Sequence, residues 1–166
     1  MDLQDLLNGT EQSAEAIVPC EIYVDEEAEW FHRGAKIIRE DILELFYEHI
    51  TYSEKHGYLI EWRNSRCALD VADTPFVISR VDRIAESQDH ARVLLTLRHI
   101  KNPEPLAPAT LRVGEHNVLY CRVRDGKFPA RFSRPAYYQL AEWIAEERDS
   151  GRFFLEINGT KHYIAI

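Results

Sequence analysis

Two arginines stand where this chain could hold an anion. Arg39 precedes Glu40-Asp41-Ile42 and Arg134 precedes Pro135-Ala136-Tyr137, each at or just before the start of a predicted helix. Free backbone N–H groups and the helix dipole attract negative charge at such positions. A guanidinium there can grip a phosphate or carboxylate with two parallel hydrogen bonds. Arg131 lies close enough in sequence to add to the charge at Arg134. The structural alternative is that each arginine ties its helix start to an acid such as Asp70 or Glu61. Trp30 and His32 are two apart on a predicted strand, so they share a face. That face either stacks on a flat ligand or packs as ordinary core. Tyr137 and Tyr138 are adjacent on a helix and cannot share its buried stripe. Tyr137 is assigned to the core, and Tyr138 to a groove or to solvent, where its ring can stack on a base or a partner. Asp73 and Thr74 suit a turn in which they bond nearby amides while Pro75 fixes the exit into a strand. A buried Asp73 could instead orient Arg39 or Arg134.

Other chemistries leave little trace. His32, His49, His56, His90, His99, His116 and His162 show no HxH, HxxxH or HExxH spacing, so no metal is expected. There is no GxSxG, no Gly-rich phosphate loop and no dinucleotide fingerprint, and no cofactor is expected. Cys67 or Cys121 acting with a distant histidine is the one nucleophile reading left open, although alternating strands explain both thiols without chemistry. Cys20, Cys67 and Cys121 are odd in number and form no CxxC pair. They are expected to be reduced thiols, which suits a cytosol.

The chain of 166 residues is 45% hydrophobic and 29% charged, a composition that can fold around a core. Its net charge of −8 is unevenly spread. Residues 1–79 hold 6 Lys/Arg against 17 Asp/Glu, whereas residues 80–134 hold 11 against 6. Overall acidity argues against a general nucleic-acid binder, because phosphate neutralisation needs a basic face. A basic segment inside an acidic chain fits a small anionic ligand or an acidic patch on a partner, unless the two segments merely neutralise each other in the fold. No apolar run could span a bilayer, and Met1 to Leu7 carries acids where a secretory leader carries bases. A cytoplasmic protein without membrane insertion is expected.

The elements that must position these residues follow from periodicity. Residues 1–18 read as an arm or short helix. Glu21–Val24 and Glu29–His32 form a hairpin around Asp25-Glu26-Glu27. A helix runs from about Arg39 to Ile50 with Ile42, Leu45, Phe46, His49 and Ile50 as its buried stripe. Tyr58–Arg63 and Arg66–Val71 make a second hairpin around Asn64-Ser65. Phe76–Val81 and Arg92–Ile100 are strands that pair, and three prolines mark 103–108 as a linker.

The pattern then returns. Residues Ala35 to Val71 map without a gap onto Ala130 to Ile166. The helical stripe falls over Tyr137, Leu140, Ala141, Ile144 and Ala145, and the second hairpin turn falls over Gly159-Thr160 beside Asn158-Gly159. The expected architecture is therefore α+β, built from duplicated strand–helix–hairpin units whose antiparallel sheets are each packed by one main helix. The expected domains are 19–102 and 109–166. The latter is short enough to need the former to dock against, and a groove between domains is a common place for a ligand.

Several segments carry a family resemblance. Trp30-Phe31-His32-Arg33-Gly34, Ile38-Arg39 leading into Leu45-Phe46, and Val71-Ala72-Asp73-Thr74-Pro75-Phe76-Val77 resemble a bacterial family catalogued as domain of unknown function 1285. Asp125-Gly126-Lys127-Phe128-Pro129-Ala130-Arg131-Phe132-Ser133-Arg134-Pro135-Ala136-Tyr137-Tyr138-Gln139-Leu140 resembles that family's second signature. The chain departs from the pattern in having Thr74 where Ala is more usual and in its acidic, lengthened first hairpin. The resemblance implies a duplicated two-domain core with a C-terminal half superficially like a pleckstrin-homology domain. It also implies a ligand site at the domain interface suited to a nucleotide-type molecule, with a role in signalling. The expectation is a non-catalytic protein that binds a nucleotide-like or phosphorylated small molecule through Arg39, Arg134, Arg131, Trp30, His32, Asp73, Thr74 and Tyr138. The alternatives are a module that binds a protein partner and, third, an enzyme with a site of dispersed residues.

Overall fold

Alternation of buried and exposed side chains along short strands is what builds this protein. The computed structural model describes residues 17–166, so the expected arm lies outside the described residues except for Ile17 and Val18, which already belong to a strand. The contacts divide the chain into two units, one ending at Pro75 and the other beginning at Phe76.

The first unit contains β1 (Ile17–Val24), β2 (Trp30–His32), β3 (Ala35–Lys36), α1 (Glu40–His49), β4 (Ile50–Ser53), β5 (Gly57–Trp62) and β6 (Ser65–Val71). They form one sheet in the order β3-β2-β1-β6-β5-β4, antiparallel throughout except for the parallel pair β1–β6. Cys20, Ile22 and Val24 alternate inward along β1. Asp25 closes the first hairpin by accepting from the amides of Glu27 and Glu29, both at 2.9 Å. The second hairpin turns at Arg63-Asn64, because Trp62 pairs with Ser65. That is one residue earlier than Asn64-Ser65, and Arg63 accepts the left-handed φ of 52° that the tight turn requires.

Helix α1 buries Ile42, Leu43, Phe46 and Tyr47, while Leu45 and His49 of the expected stripe are only half-buried. The buried face is turned by one position because Tyr47 has partners inside. Its hydroxyl accepts from Trp30 Nε1 at 3.0 Å and donates to the Pro75 carbonyl at 2.5 Å. Burying a tyrosine oxygen is tolerable when it is bonded on both sides.

Cys20 and Cys67 form a disulfide between β1 and β6, correcting the expectation of reduced thiols. The parallel pairing of β1 and β6 brings the two cysteines together, which their spacing in sequence could not reveal. The argument from free thiols for a cytoplasmic address falls with it. Among the described residues, no helix is long and apolar enough to cross a membrane.

The second unit contains β7 (Val77–Ala85), β8 (Ala91–Leu97), β9 (Glu104–Pro105), β10 (Arg112–Val113), β11 (Leu119–Val123), β12 (Phe128–Phe132), α2 (Arg134–Ala141), β13 (Ile144–Glu146), β14 (Phe153–Ile157) and β15 (Thr160–Tyr163). Its larger sheet runs β10-β11-β12-β7-β8-β9, and β13-β14-β15 form a separate antiparallel meander. The hairpin β7–β8 was expected in the first domain. It lies instead in the second unit, because Val77 and Ile78 pair with Arg131 and Phe132 of β12. The proline-rich 103–108 segment is not only a connection: Glu104 and Pro105 pair with Leu95 and Leu94 at the sheet edge, where proline is tolerated.

The repeat is visible in strand order. In the first unit three strands precede the helix, a three-stranded meander follows it, and the last meander strand lies parallel to the first strand. In the second unit the same order recurs from β10 onward. Beyond β15, Ala165 bridges Arg112 in parallel; Val113 N–H donates to Ala165 O at 2.8 Å, and Ala165 N–H to Leu111 O at 3.1 Å. The protein is thus an α+β duplication with the β7–β9 strands inserted between the copies.

Helix α2 is shorter than its stripe suggested. Only Ala136 and Leu140 are buried along it, and Ile144 and Ala145 belong to β13. Tyr137, expected in the core, is 39% exposed. Ser133 starts the helix by accepting from the Ala136 amide at 3.3 Å, and Pro135 fits the first turn.

Candidate functional site

The structure distributes the expected site residues between the two units. In the first unit Trp30 is fully buried, with Phe46 stacked on it at 5.4 Å and the edge of Tyr47 at 5.3 Å. No face of its indole is left for a ligand. His32 is half-buried on β2, opposite Ile22 and Ala35. Thr74 is 1% exposed and Asp73 half-buried, in the segment whose Pro75 carbonyl receives the Tyr47 hydroxyl. The Asp-Thr-Pro motif therefore serves the first unit's core. Arg39 is exposed beside the start of α1 and grips Asp41 two residues on, at 2.6 and 3.2 Å. That guanidinium holds the Asp41 carboxyl below the ordinary range.

In the second unit Arg131 is half-buried on β12, and its amide donates to Phe76 O at 2.9 Å. Arg134 is exposed at the first position of α2, and Tyr138 is 62% exposed with its ring 5.5 Å from that of Tyr137. These three are the expected residues that one short segment brings to the surface together.

A pocket of about 610 Å³ elsewhere in this unit combines more of the needed chemistry. It lies between the tip of the β7–β8 hairpin and the β14–β15 turn, lined among others by Arg83, Ser87, Asp89, His90, Trp143 and Glu156. The Arg83 guanidinium sits over the half-buried Trp143 ring at 5.9 Å. Asn158 clasps the hairpin from the turn, accepting from the Ala91 amide at 2.8 Å and donating to its carbonyl at 3.1 Å. The clasp is local backbone chemistry: Asn158 and Gly159 take the left-handed φ values of 53° and 79° that a two-residue hairpin turn demands.

Two solved structures match the chain in shape. A DUF1285 family protein from Silicibacter pomeroyi superposes with a TM-score of 0.71 at 18% identity, covering 90% of this chain and 80% of that one. A DUF1285 family protein from Shewanella baltica superposes with a TM-score of 0.60 at 13% identity, covering 73% and 90%. The chain carries the DUF1285 fold. Its sequence matches no protein-family profile and no curated protein.

Within this DUF1285 fold the remaining nucleophile reading closes. Cys67 is in the disulfide, and Cys121 is buried on β11 with its thiol pushed up to about 12, by burial first and the nearby Glu104 charge second. A thiol so protonated is a poor nucleophile. Near the C-terminus, Glu147 accepts from the Ser150 and Tyr163 hydroxyls at 2.7 and 2.9 Å, which holds its carboxyl low and raises the Tyr163 phenol. Among the described residues no group of three or more His, Cys, Asp or Glu could hold a metal. Trp143 and Arg83 were missed from sequence. The signal that could have found them is weak: Trp143 falls between the stripe positions Ala141 and Ile144, just past the end of α2, and Arg83 lies on a strand that the repeat does not contain.

Proposed function

We propose that the protein binds a flat, anionic, nucleotide-like small molecule without turning it over, in a signalling role, and that the second unit's pocket receives it. The observation that carries this reading is the pairing of Arg83 with Trp143 in a pocket of about 610 Å³. Pockets of roughly 300–1,000 Å³ suit ligands of this size. The indole offers a stacking surface for a base. Arg83 supplies the anion contact, and Asp89 and Glu156 can accept from hydroxyl or amino groups of the same ligand. Arg131, Arg134 and Tyr138 form a second set with similar chemistry and enter the same test. The remaining expected residues, Arg39, Trp30, His32, Asp73 and Thr74, support the first unit's own structure in this reading.

A thermal-shift panel of nucleotides and other phosphorylated metabolites tests it, with Trp143 fluorescence as a second readout. A ligand that raises the melting temperature and loses its effect in Arg83→Ala and Trp143→Phe supports the pocket. A shift abolished by Arg134→Ala instead moves the site to the start of α2. No shift from any compound sinks the small-molecule reading.

One observation favours a partner-binding module: Tyr137 and Tyr138, 39% and 62% exposed, form an aromatic pair on one short helix. A stoichiometric protein partner lost on Tyr138→Ala, with no small molecule bound, would establish it.

A further inference from the structure

A second groove crosses the first unit's sheet. Phe31 of β2 lies opposite Tyr23 of β1, and Tyr23 lies opposite Asp70 of β6. Residues in register on neighbouring strands share a face, so an aromatic–aromatic–carboxylate row runs across three strands. The two rings are 6.3 Å apart and tilted, and Tyr23 is 42% exposed. The row lines a groove of about 530 Å³ together with Pro19, Ala68, Glu21 and Arg33. A bulge in β1 between Pro19 and Tyr23 shapes it, and the Arg33 amide donates to the Glu21 carbonyl at 3.1 Å. The Arg33 guanidinium is ion-paired to Glu21.

We infer that this groove receives an extended basic segment of a protein partner, whose lysine or arginine stems lie on Tyr23 and Phe31 and whose cation reaches Asp70. Three features carry the inference. The lining holds two carboxylates, Glu21 and Asp70, against one guanidinium already engaged with Glu21. The exposed ring of Tyr23 offers the negative face of its π system to a cation, while long cationic side chains pack their methylenes on apolar surface. Finally, residues 17–75 hold 13 Asp/Glu against 6 Lys/Arg, so the unit's field draws cations and repels anions. The groove belongs to the first unit and the Arg83–Trp143 pocket to the second, and its failure would leave that reading intact.

The test uses the whole protein and a fluorescein-labelled octapeptide of alternating leucine and lysine, followed by fluorescence anisotropy. Its leucine–glutamate counterpart is the control. The lysine peptide should bind, weaken with added salt, and lose about tenfold in affinity in Asp70→Asn and in Tyr23→Ala, as expected for one charge contact and one cation–π contact. The glutamate peptide should not bind. Asp70→Asn is nearly isosteric and exposed, so it reports on charge with the fold kept, which an unchanged melting temperature verifies. Equal binding of both peptides, no binding of the lysine peptide, or binding that neither substitution alters would each overturn the assignment. So would self-association that Asp70→Asn abolishes, because the occupant would then be a second copy of the chain.

Discussion

Trp30 and Tyr47 meet inside the first unit, with the indole N–H donating to the tyrosine hydroxyl at 3.0 Å and that hydroxyl donating onward to the Pro75 carbonyl at 2.5 Å. Both rings are at most 1% exposed. One oxygen thereby joins β2, α1 and the turn that leads out of the unit. Tyr47→Phe keeps the ring packing and leaves an indole N–H and a carbonyl unmatched, and each such buried group costs about 1–3 kcal/mol. Urea unfolding should show a loss of roughly 2–6 kcal/mol on that basis. A loss below about 0.5 kcal/mol would mean that water or a shifted backbone replaces the hydroxyl.

The Cys20–Cys67 disulfide closes a loop with a sequence separation of 47. The loop-entropy relation gives about 4 kcal/mol for that length. Cys20→Ser/Cys67→Ser should be less stable by about that much, and a reductant should reproduce the loss in the unmodified protein. Thiol counting in denaturant provides an independent check. One thiol, that of Cys121, should react before reduction, and all three after it. Three reactive thiols without reductant would show that the bond does not form in solution.

Much of the architecture was legible because the hydrophobic periods are clean. The β1–β2 and β5–β6 hairpins, α1, and the β7–β8 pairing all follow from alternation or helical spacing, and the duplication from their order. What escaped depended on contacts distant in sequence. Periodicity cannot say that Tyr47 rather than Leu45 faces inward, because that choice is made by Trp30 and Pro75. It cannot pair Cys20 with Cys67, because a parallel β1–β6 register does so. Proline content marked 103–108 as a connection, yet an edge strand accepts proline. The candidate site was harder still. Trp30 and Thr74 stood out as motif residues and proved to be core, whereas Arg83 and Trp143 belong to no motif and meet only through the fold.

Asn158 offers a local test of the second unit. Asn158→Gly preserves the left-handed backbone of the turn and deletes both hydrogen bonds to Ala91. The expected cost is about 1–2 kcal/mol at this exposed position. Hydrogen exchange of the Ala91 amide should accelerate, because its partner oxygen is gone. Unchanged exchange would mean that the hairpin holds its place without the clasp, and that the Arg83–Trp143 pocket is shaped by the strands alone.

Cys121 makes stability fall at high pH. Its thiol is pushed from an ordinary 9.0 to about 12, because burial on β11 disfavours the thiolate and the Glu104 carboxylate adds to the penalty. In the unfolded chain the same thiol ionises near its ordinary value. Between the two values the unfolded state therefore binds fewer protons than the folded state, and stability must decline as pH rises. The contribution is fully present below about pH 9 and is lost by up to roughly 1.4 kcal/mol per pH unit as pH climbs toward 12. With the disulfide intact Cys121 is the one titrating thiol, so comparison with Cys121→Ala cancels the tyrosines and lysines. Urea unfolding at pH 7 and pH 10 should show the unmodified protein losing about 1 kcal/mol more than the alanine variant. Parallel declines would mean that the thiol ionises in the folded state near its ordinary value, and rapid alkylation of the folded protein at pH 8 would report the same failure.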